Sequence, residues 1–308
     1  MSFTVFADGS ANLPKEMLDG IRLLPTDYTM DGEPRTYAGD VDNFDAHAYY
    51  EELRAGRIVK TTLINTHTFL SQFEPVLAGG DDIIYIAMSS GISGTYNAAI
   101  AAAQELMDTH KDRFVHIVDS HGCGFGNGLL AVRAAELSRQ GVDVREAARI
   151  LDAEVPHTCQ YFTVDDLNFL KRTGRVSGMT ARIGTILHIK PILYGDSTGH
   201  IVACSKVRGR KNAIEALAEK YKEKRLDSPD QRICISTATA CRTRRPWPVW
   251  CGRSRRMFPS RSASMSRSPA PMSDPGCWDC SSAGRKDESR GDGVWPAAWC
   301  SRYLALSQ

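Results

Sequence analysis

Residues 82–107 read DIIYIAMSSGISGTYNAAIAAAQELM. Asp82–Met88 is short, apolar and rich in β-branched residues, the signature of a strand buried on both faces. Ser89–Thr95 is built almost wholly from small and hydroxylated residues, and the alanine-rich Tyr96–Met107 has strong helix propensity. Strand, small-residue turn and helix in that order make half of a βαβ unit. In an open α/β sheet, ligands collect at the carboxyl ends of the strands beside helix N-termini. There, free N–H groups and the positive helix end favour an anion such as a carboxylate or phosphate.

The same grammar extends in both directions. Upstream, Phe3–Ala7 predicts a strand ending at Asp8-Gly9-Ser10, and Pro14-Lys15-Glu16 a short helix. Ile21–Met30 predicts one extended segment, and Asp45–Ala55 and Thr66–Ala78 predict helices. Lys60-Thr61-Thr62 reads as a hydroxyl-rich turn between them. Downstream, Arg113–Asp119 predicts a strand, the glycines at 122, 124, 126 and 128 a turn, and Leu129–Arg139 and Val144–Val155 helices. A second region carries a strand over Gln160–Val164, helices over Asp165–Arg172 and Thr180–Leu187, and a hairpin turning at Gly195–Gly199. The helix Lys211–Lys224 and the strand Ile233–Thr237 follow. The fold class is α/β in two domains: a parallel-sheet α/β domain over 1–156 and an incomplete second α/β domain over 157–240.

Beyond residue 240 the composition breaks. All five Trp and seven of the fourteen Pro lie from residue 246 onward. Residues 241–308 carry a net +7, which leaves −5 on the first 240 out of +2 for the whole chain. Only five of those 68 residues are Ile, Leu, Val or Phe, too few to offset the entropy of ordering them. Five Trp and five Cys are equally foreign to a disordered segment. An out-of-frame translation accounts for both. Codons for Cys241–Trp247, read after two bases are dropped, permit Pro-Asp-Ala-Glu-Ala-Leu, a helix start. The same shift over Ala270–Ser282 permits Ala-His-Val-Gly-Pro-Gly-Val-Leu-Gly-Leu-Phe-Phe, a turn and an apolar strand. Residues 241–308 are therefore expected to form an out-of-frame, disordered tail.

Several function classes find no footing. No apolar stretch is long enough to span a membrane, and Met1–Ser10 lacks a secretory signal. The 122–128 glycines fit no G-x-G-x-x-G register and there is no P-loop, so nucleotide binding is not expected. No H-x-x-x-H pair occurs, and Cys277-x-x-Cys280 lies in the tail. The body cysteines 123, 159, 204 and 234 are widely spaced, as in reduced thiols of a cytoplasmic protein. A hydrolase elbow fails because Thr95 stands where G-x-S-x-G needs glycine. A small-molecule α/β enzyme using Ser93 nevertheless stays open as the alternative to a binding protein. Lys171, Arg172 and Arg175, and Lys206, Arg208, Arg210 and Lys211, form two basic clusters suited to an anion.

Taken together these residues resemble the DegV family of fatty-acid-binding proteins. The likeness rests on Asp8–Pro14 (DGSANLP), Lys60-Thr61-Thr62, Ser89–Tyr96 (SSGISGTY), Val118-Asp119-Ser120, Leu170–Ser177 (LKRTGRVS), Ile189–Leu193 and Lys206-Val207-Arg208, in order. Leu63 and Asn65 depart from the family's usual Gln and Ser. The family's last motif, a histidine-bearing turn before a final strand, occurs only in the shifted reading. The resemblance implies a DegV-like fold and a carrier rather than an enzyme. It implies no cofactor, and as ligand one long-chain fatty acid, such as a C16–C18 acid, with its carboxylate at the interdomain crevice. The binding residues it implies are Thr61, Thr62, Ser93, Arg175 and Arg208. It further implies a fatty-acid kinase as partner, which phosphorylates the presented acid, and no role for nucleic acid.

Overall fold

The structure is a computed structural model that describes residues 3–164, 170, 174–176, 188–225, 231–236, 250–253 and 301–307. In chain order its first part forms β1 (Phe3–Asp8), β2 (Ile21–Leu24), β3 (Thr26–Met30), β4 (Glu33–Tyr37), α1 (Ala46–Arg54), β5 (Val59–Thr61) and α2 (Thr66–Ala78). Then come β6 (Asp82–Ala87), α3 (Thr95–Thr109), β7 (Val115–Asp119), α4 (Phe125–Arg139) and α5 (Val144–Glu154). The second part forms β8 (Thr158–Val164), β9 (Ile189–Gly195), β10 (Ile201–Arg208), α6 (Arg210–Lys224), β11 (Arg232–Ser236), β12 (Trp250–Arg253) and β13 (Ser301–Ser307). The helices expected over 165–172 and 180–187 lie outside the described residues, apart from Leu170.

The first sheet runs β2-β1-β6-β7, parallel throughout. Its strands alternate between two faces. Val5, Ala7, Ile84 and Ile86 pack with Leu129, Leu130 and Leu151 of α4 and α5, while Phe6, Ile83 and Tyr85 pack with Phe69, Phe73 and Leu106 of α2 and α3. Helices on both faces explain why β6 reads as an unbroken apolar run.

Four expectations shift. Ile21–Met30 is two strands, because Pro25 has no N–H to continue the ladder; β3 turns away into a small antiparallel sheet of order β4-β3-β5. Lys60 and Thr61 belong to the edge strand β5 of that sheet rather than to a turn. Helix α4 starts at Phe125, four residues before Leu129, so Gly126 and Gly128 are helical. They are needed for approach: a Cβ on Gly126 would lie 2.6 Å from Gln160 Oε1, and one on Gly128 2.8 Å from the Ala11 carbonyl oxygen. Finally, Cys123 and Cys204 are free thiols, but Cys234 is disulfide-bonded rather than reduced; on β11 it stands in register with Cys251 of β12.

The second sheet runs β10-β9-β8-β13-β11-β12, antiparallel throughout. The tail was expected to add nothing here, yet β12 and β13 both come from it. The physical reason is the backbone: β8 and β11 present unpaired N–H and C=O groups that must find partners. Successive β8 residues cover both faces. Tyr161 packs with Ala213 and Leu217 of α6. Phe162 and Val164 turn towards Ile92 of the first domain.

Candidate functional site

The Ser89–Thr95 loop leaves β6 and enters α3 at the carboxyl edge of the parallel sheet. Its shape is fixed from three directions. The Ser90 N–H donates to Asp119 Oδ1 at 3.0 Å, at the end of β7. The N–H groups of Ile92 and Ser93 both donate to the Ser89 carbonyl at 3.1 Å. Ser89 Oγ, fully buried, donates to the Gly199 carbonyl at 2.8 Å, which ties the loop to the β9–β10 hairpin of the second domain. Gly91 makes that docking possible: a Cβ there would come within 2.6 Å of Gly199 C.

Ser93 sits half-buried at the mouth of α3. Its Oγ accepts from the Thr95 N–H at 3.2 Å and donates to Thr95 Oγ1 at 3.0 Å. Thr95 Oγ1 in turn accepts from the Ile64 N–H at 3.3 Å. A Cβ on Gly94 would lie 3.2 Å from Leu63 Cδ2, so Leu63 packs against the same loop. Thr61 and Thr62 immediately precede this seam, exposed, with the Thr62 N–H held by the Asp27 carbonyl at 2.9 Å. The structure thus laces Leu63 and Ile64 to residues 94–95, while among the described contacts none joins Thr61 or Thr62 to Ser93. Of the two departures from the family pattern, Leu63 supplies that packing and Asn65 caps α2, its side chain accepting from the Thr68 N–H.

Arg175 reaches the same loop from the second domain, its Nε donating to the Ile92 carbonyl at 3.3 Å. Beside it lies an apolar cluster of Phe162, Val164, Val176, Leu193 and Ile201, with Ile92, Leu170 and Ile189 against it. Hydroxyls, a guanidinium and apolar surface therefore meet at the domain boundary. Arg208 is exposed at the end of β10, in register with Ile189 of β9; among the described contacts none joins it to Ser93 or Thr61. Lys171 and Arg172 lie outside the described residues. A cavity of about 380 Å³ lined by Phe3, Ile21, Arg22 and Arg139 opens at the other, amino end of the parallel sheet, away from this group.

Two supports escaped the sequence reading. Asp8, at the end of β1, is 2 % exposed and accepts from the N–H groups of Ser10 at 3.0 Å and Met88 at 2.8 Å, from Tyr85 Oη at 3.2 Å and from Ser10 Oγ. Burial raises its carboxyl above the usual range, although each of those bonds pulls the other way. Its bond to Met88 sets where β6 stops and the Ser89 loop begins. Gln160, on β8, brackets the Cys123 peptide, Oε1 accepting from its N–H at 3.0 Å and Nε2 donating to its carbonyl. Asp8 stood out in the sequence as the last residue of β1 and the first of the DGSANLP stretch, but not as the clamp on Met88; nothing in the sequence marked Gln160.

Among the described contacts Ser93 Oγ meets only Thr95. The His121 Nε2–Asp119 Oδ2 pair, 3.6 Å apart, has no described contact with it. No group of His, Cys, Asp and Glu among the described residues could hold a metal ion, and no helix there is long and apolar enough to cross a membrane.

The fold is that of an α/β protein whose parallel sheet and antiparallel sheet meet at the Ser89–Thr95 loop. The family model described as "Uncharacterised protein, DegV family" matches residues 2–245, and the chain belongs to the DegV family. A DegV domain-containing protein from Clostridium perfringens is 33% identical over 240 residues, 78% of this chain and 82% of that one. The crystal structure of DegV, a fatty acid binding protein from Bacillus subtilis, superposes with a TM-score of 0.67 at 30% identity, covering 78% of this chain and 83% of that one. A DegV family protein from Thermus thermophilus, solved in a study of its fatty acid binding, gives 0.68 at 26% identity, covering 76% and 82%.

Proposed function

We propose that this chain is a cytoplasmic carrier that binds one long-chain fatty acid and presents it to a partner fatty-acid kinase. The carboxylate sits at Thr61, Thr62 and Ser93, with Arg175 and Arg208 as the basic groups around it, and the acyl chain runs into the second domain. The observation that supports this reading is the seam of Leu63 and Ile64 with Gly94 and Thr95, next in sequence to Thr62 and Ser93, with Arg175 on the Ile92 carbonyl and an apolar cluster beside it. An anion taken out of water needs several donors; two or three hydroxyls, helix-end N–H groups and a guanidinium supply them without a nucleophile. Burying a C16–C18 chain at roughly 0.8 kcal/mol per CH₂ contributes on the order of 10 kcal/mol before ordering costs. The fatty acids bound by the structural relatives support the same ligand class.

The experiment is lipid extraction and mass spectrometry of the purified protein, followed by addition of a fatty-acid kinase and ATP. A stoichiometric fatty acid that is phosphorylated only when the kinase is present supports the reading. Protein that neither carries nor takes up a fatty acid defeats it, and turnover without kinase would make the chain an enzyme.

A further inference from the structure

The centre of the second sheet poses a sequence problem. The slot between β8 and β11 is filled by Ser301–Ser307, antiparallel to both neighbours. Both α4 and α6 pack against the strand in the slot, and the flanking strands put them on opposite faces: Gln160 of β8 and Cys234 of β11 meet α4, whereas Tyr161, the next residue along β8, meets α6. A strand covered on both faces calls for a near-continuous apolar run. The occupant reads SRYLALS, polar at both ends.

The comparisons stop where the composition breaks. The family match ends at residue 245, and the 240 residues shared with the Clostridium perfringens relative make up 82% of it, so that its length is near 290 and about a fifth of it has no counterpart here. The genetic code then tests the shifted frame without free choices. If each codon is read from its third base, Trp247-Pro248 must give Ala, Trp250-Cys251 must give Val, and Met257-Phe258 must give Val. Cys277-Trp278-Asp279-Cys280 must give Leu-Gly-Leu, and Val249-Trp250 and Gly276-Cys277 must each give Met, Val or Leu. These outcomes are all apolar or Gly, in a segment whose written residues are Arg- and Ser-rich. With codon choice allowed, Ser254–Ser282 reads continuously as PKDVPIEERVNEPIARAHVGPGVLGLFF. The same frame permits a stop at Asp287-Glu288, within a few residues of the relative's length.

We propose that the reading frame is displaced by one base between Ser236, the last residue of β11, and Cys241. In the continuous frame the run Val-Leu-Gly-Leu-Phe-Phe supplies the strand between β8 and β11. It is the one apolar run of the restored segment with the length and uniformity that the doubly covered slot demands.

The test compares two delipidated proteins, the chain as written and the chain with one base restored between codons 236 and 241. It reads thermal unfolding together with amide exchange at Thr158–Val164 and Arg232–Ser236, the two strands that flank the slot. The proposal expects the restored chain to melt higher and those amides to exchange at least tenfold more slowly. Equal melting and equal exchange, or a restored chain that does not fold, would overturn it. So would recovery of the tryptic peptide spanning residues 268–285 from cells that express the native gene. Neither readout uses lipid, so failure of the fatty-acid reading leaves this one standing.

Discussion

Gly91→Ala probes the joint on which the site depends. Gly91 does not lie in the left-handed region, so on backbone grounds alone alanine would stabilise the chain by about 0.4–1 kcal/mol. The packing gives the opposite sign. The new Cβ would meet Gly199 C at 2.6 Å, Gly199 O at 2.7 Å and Thr198 O at 2.8 Å, all backbone atoms that cannot rotate aside. Such overpacking costs about 1–3 kcal/mol, and pushing the hairpin away breaks the Ser89–Gly199 hydrogen bond at about 1 kcal/mol more, for a loss of about 2–4 kcal/mol. Urea unfolding at unchanged slope measures it. Fatty-acid affinity should fall as well, since the same loop carries Ser93. A variant as stable as the parent, or more stable, would refute the docking of the hairpin onto this loop.

Gln160→Ala strands the Cys123 N–H and carbonyl and should cost about 2 kcal/mol; a change below about 0.5 kcal/mol, within the range of ordinary surface substitutions, would show that the bracket is dispensable. Arg175→Gln should weaken fatty-acid binding roughly fivefold, and Arg208→Gln less, because among the described contacts Arg175 touches the Ser93 loop and Arg208 does not; titration calorimetry reversing that order would move the head group. Asp31 is held low by the Ile58 N–H and by Arg57, and Glu52 by Arg35. Because the folded state depresses both, their contribution is full above the ordinary carboxylate range and fades as pH falls below about 4. Melting temperature should therefore drop on acidification through that window in the parent and drop less in Arg57→Gln, which loses ion pairs to Asp31, Glu33 and Glu52; parallel curves would count against it.

The parallel sheet was legible because β6 and its neighbours obey one rule: strands buried on both faces read as apolar runs, and the helices between them show their own period. The Ser89–Thr95 loop was legible for the same reason, as a small-residue gap between two strong patterns. What escaped was tertiary in origin. β4 reads EPRTY, too polar to signal a strand, and exists because β3 offers an edge. Gly126 and Gly128 resemble turn residues, yet they serve close approach of a helix to Gln160 and Ala11. The lacing of Ile64 to Thr95 is a contact between residues far apart in sequence, and no local spacing encodes it. The change of composition near residue 240 is plain in the sequence, but the slot between β8 and β11 emerged only once those strands were seen on either side of it.

The most direct test is a titration of the parent and Ser93→Ala with a C16–C18 fatty acid and with the matching fatty alcohol. Loss of one hydrogen bond to a carboxylate should weaken the acid by about 1–2 kcal/mol, roughly 5–30-fold, and leave the alcohol nearly unchanged. If acid and alcohol bind both proteins alike, the carboxylate does not sit at Ser93.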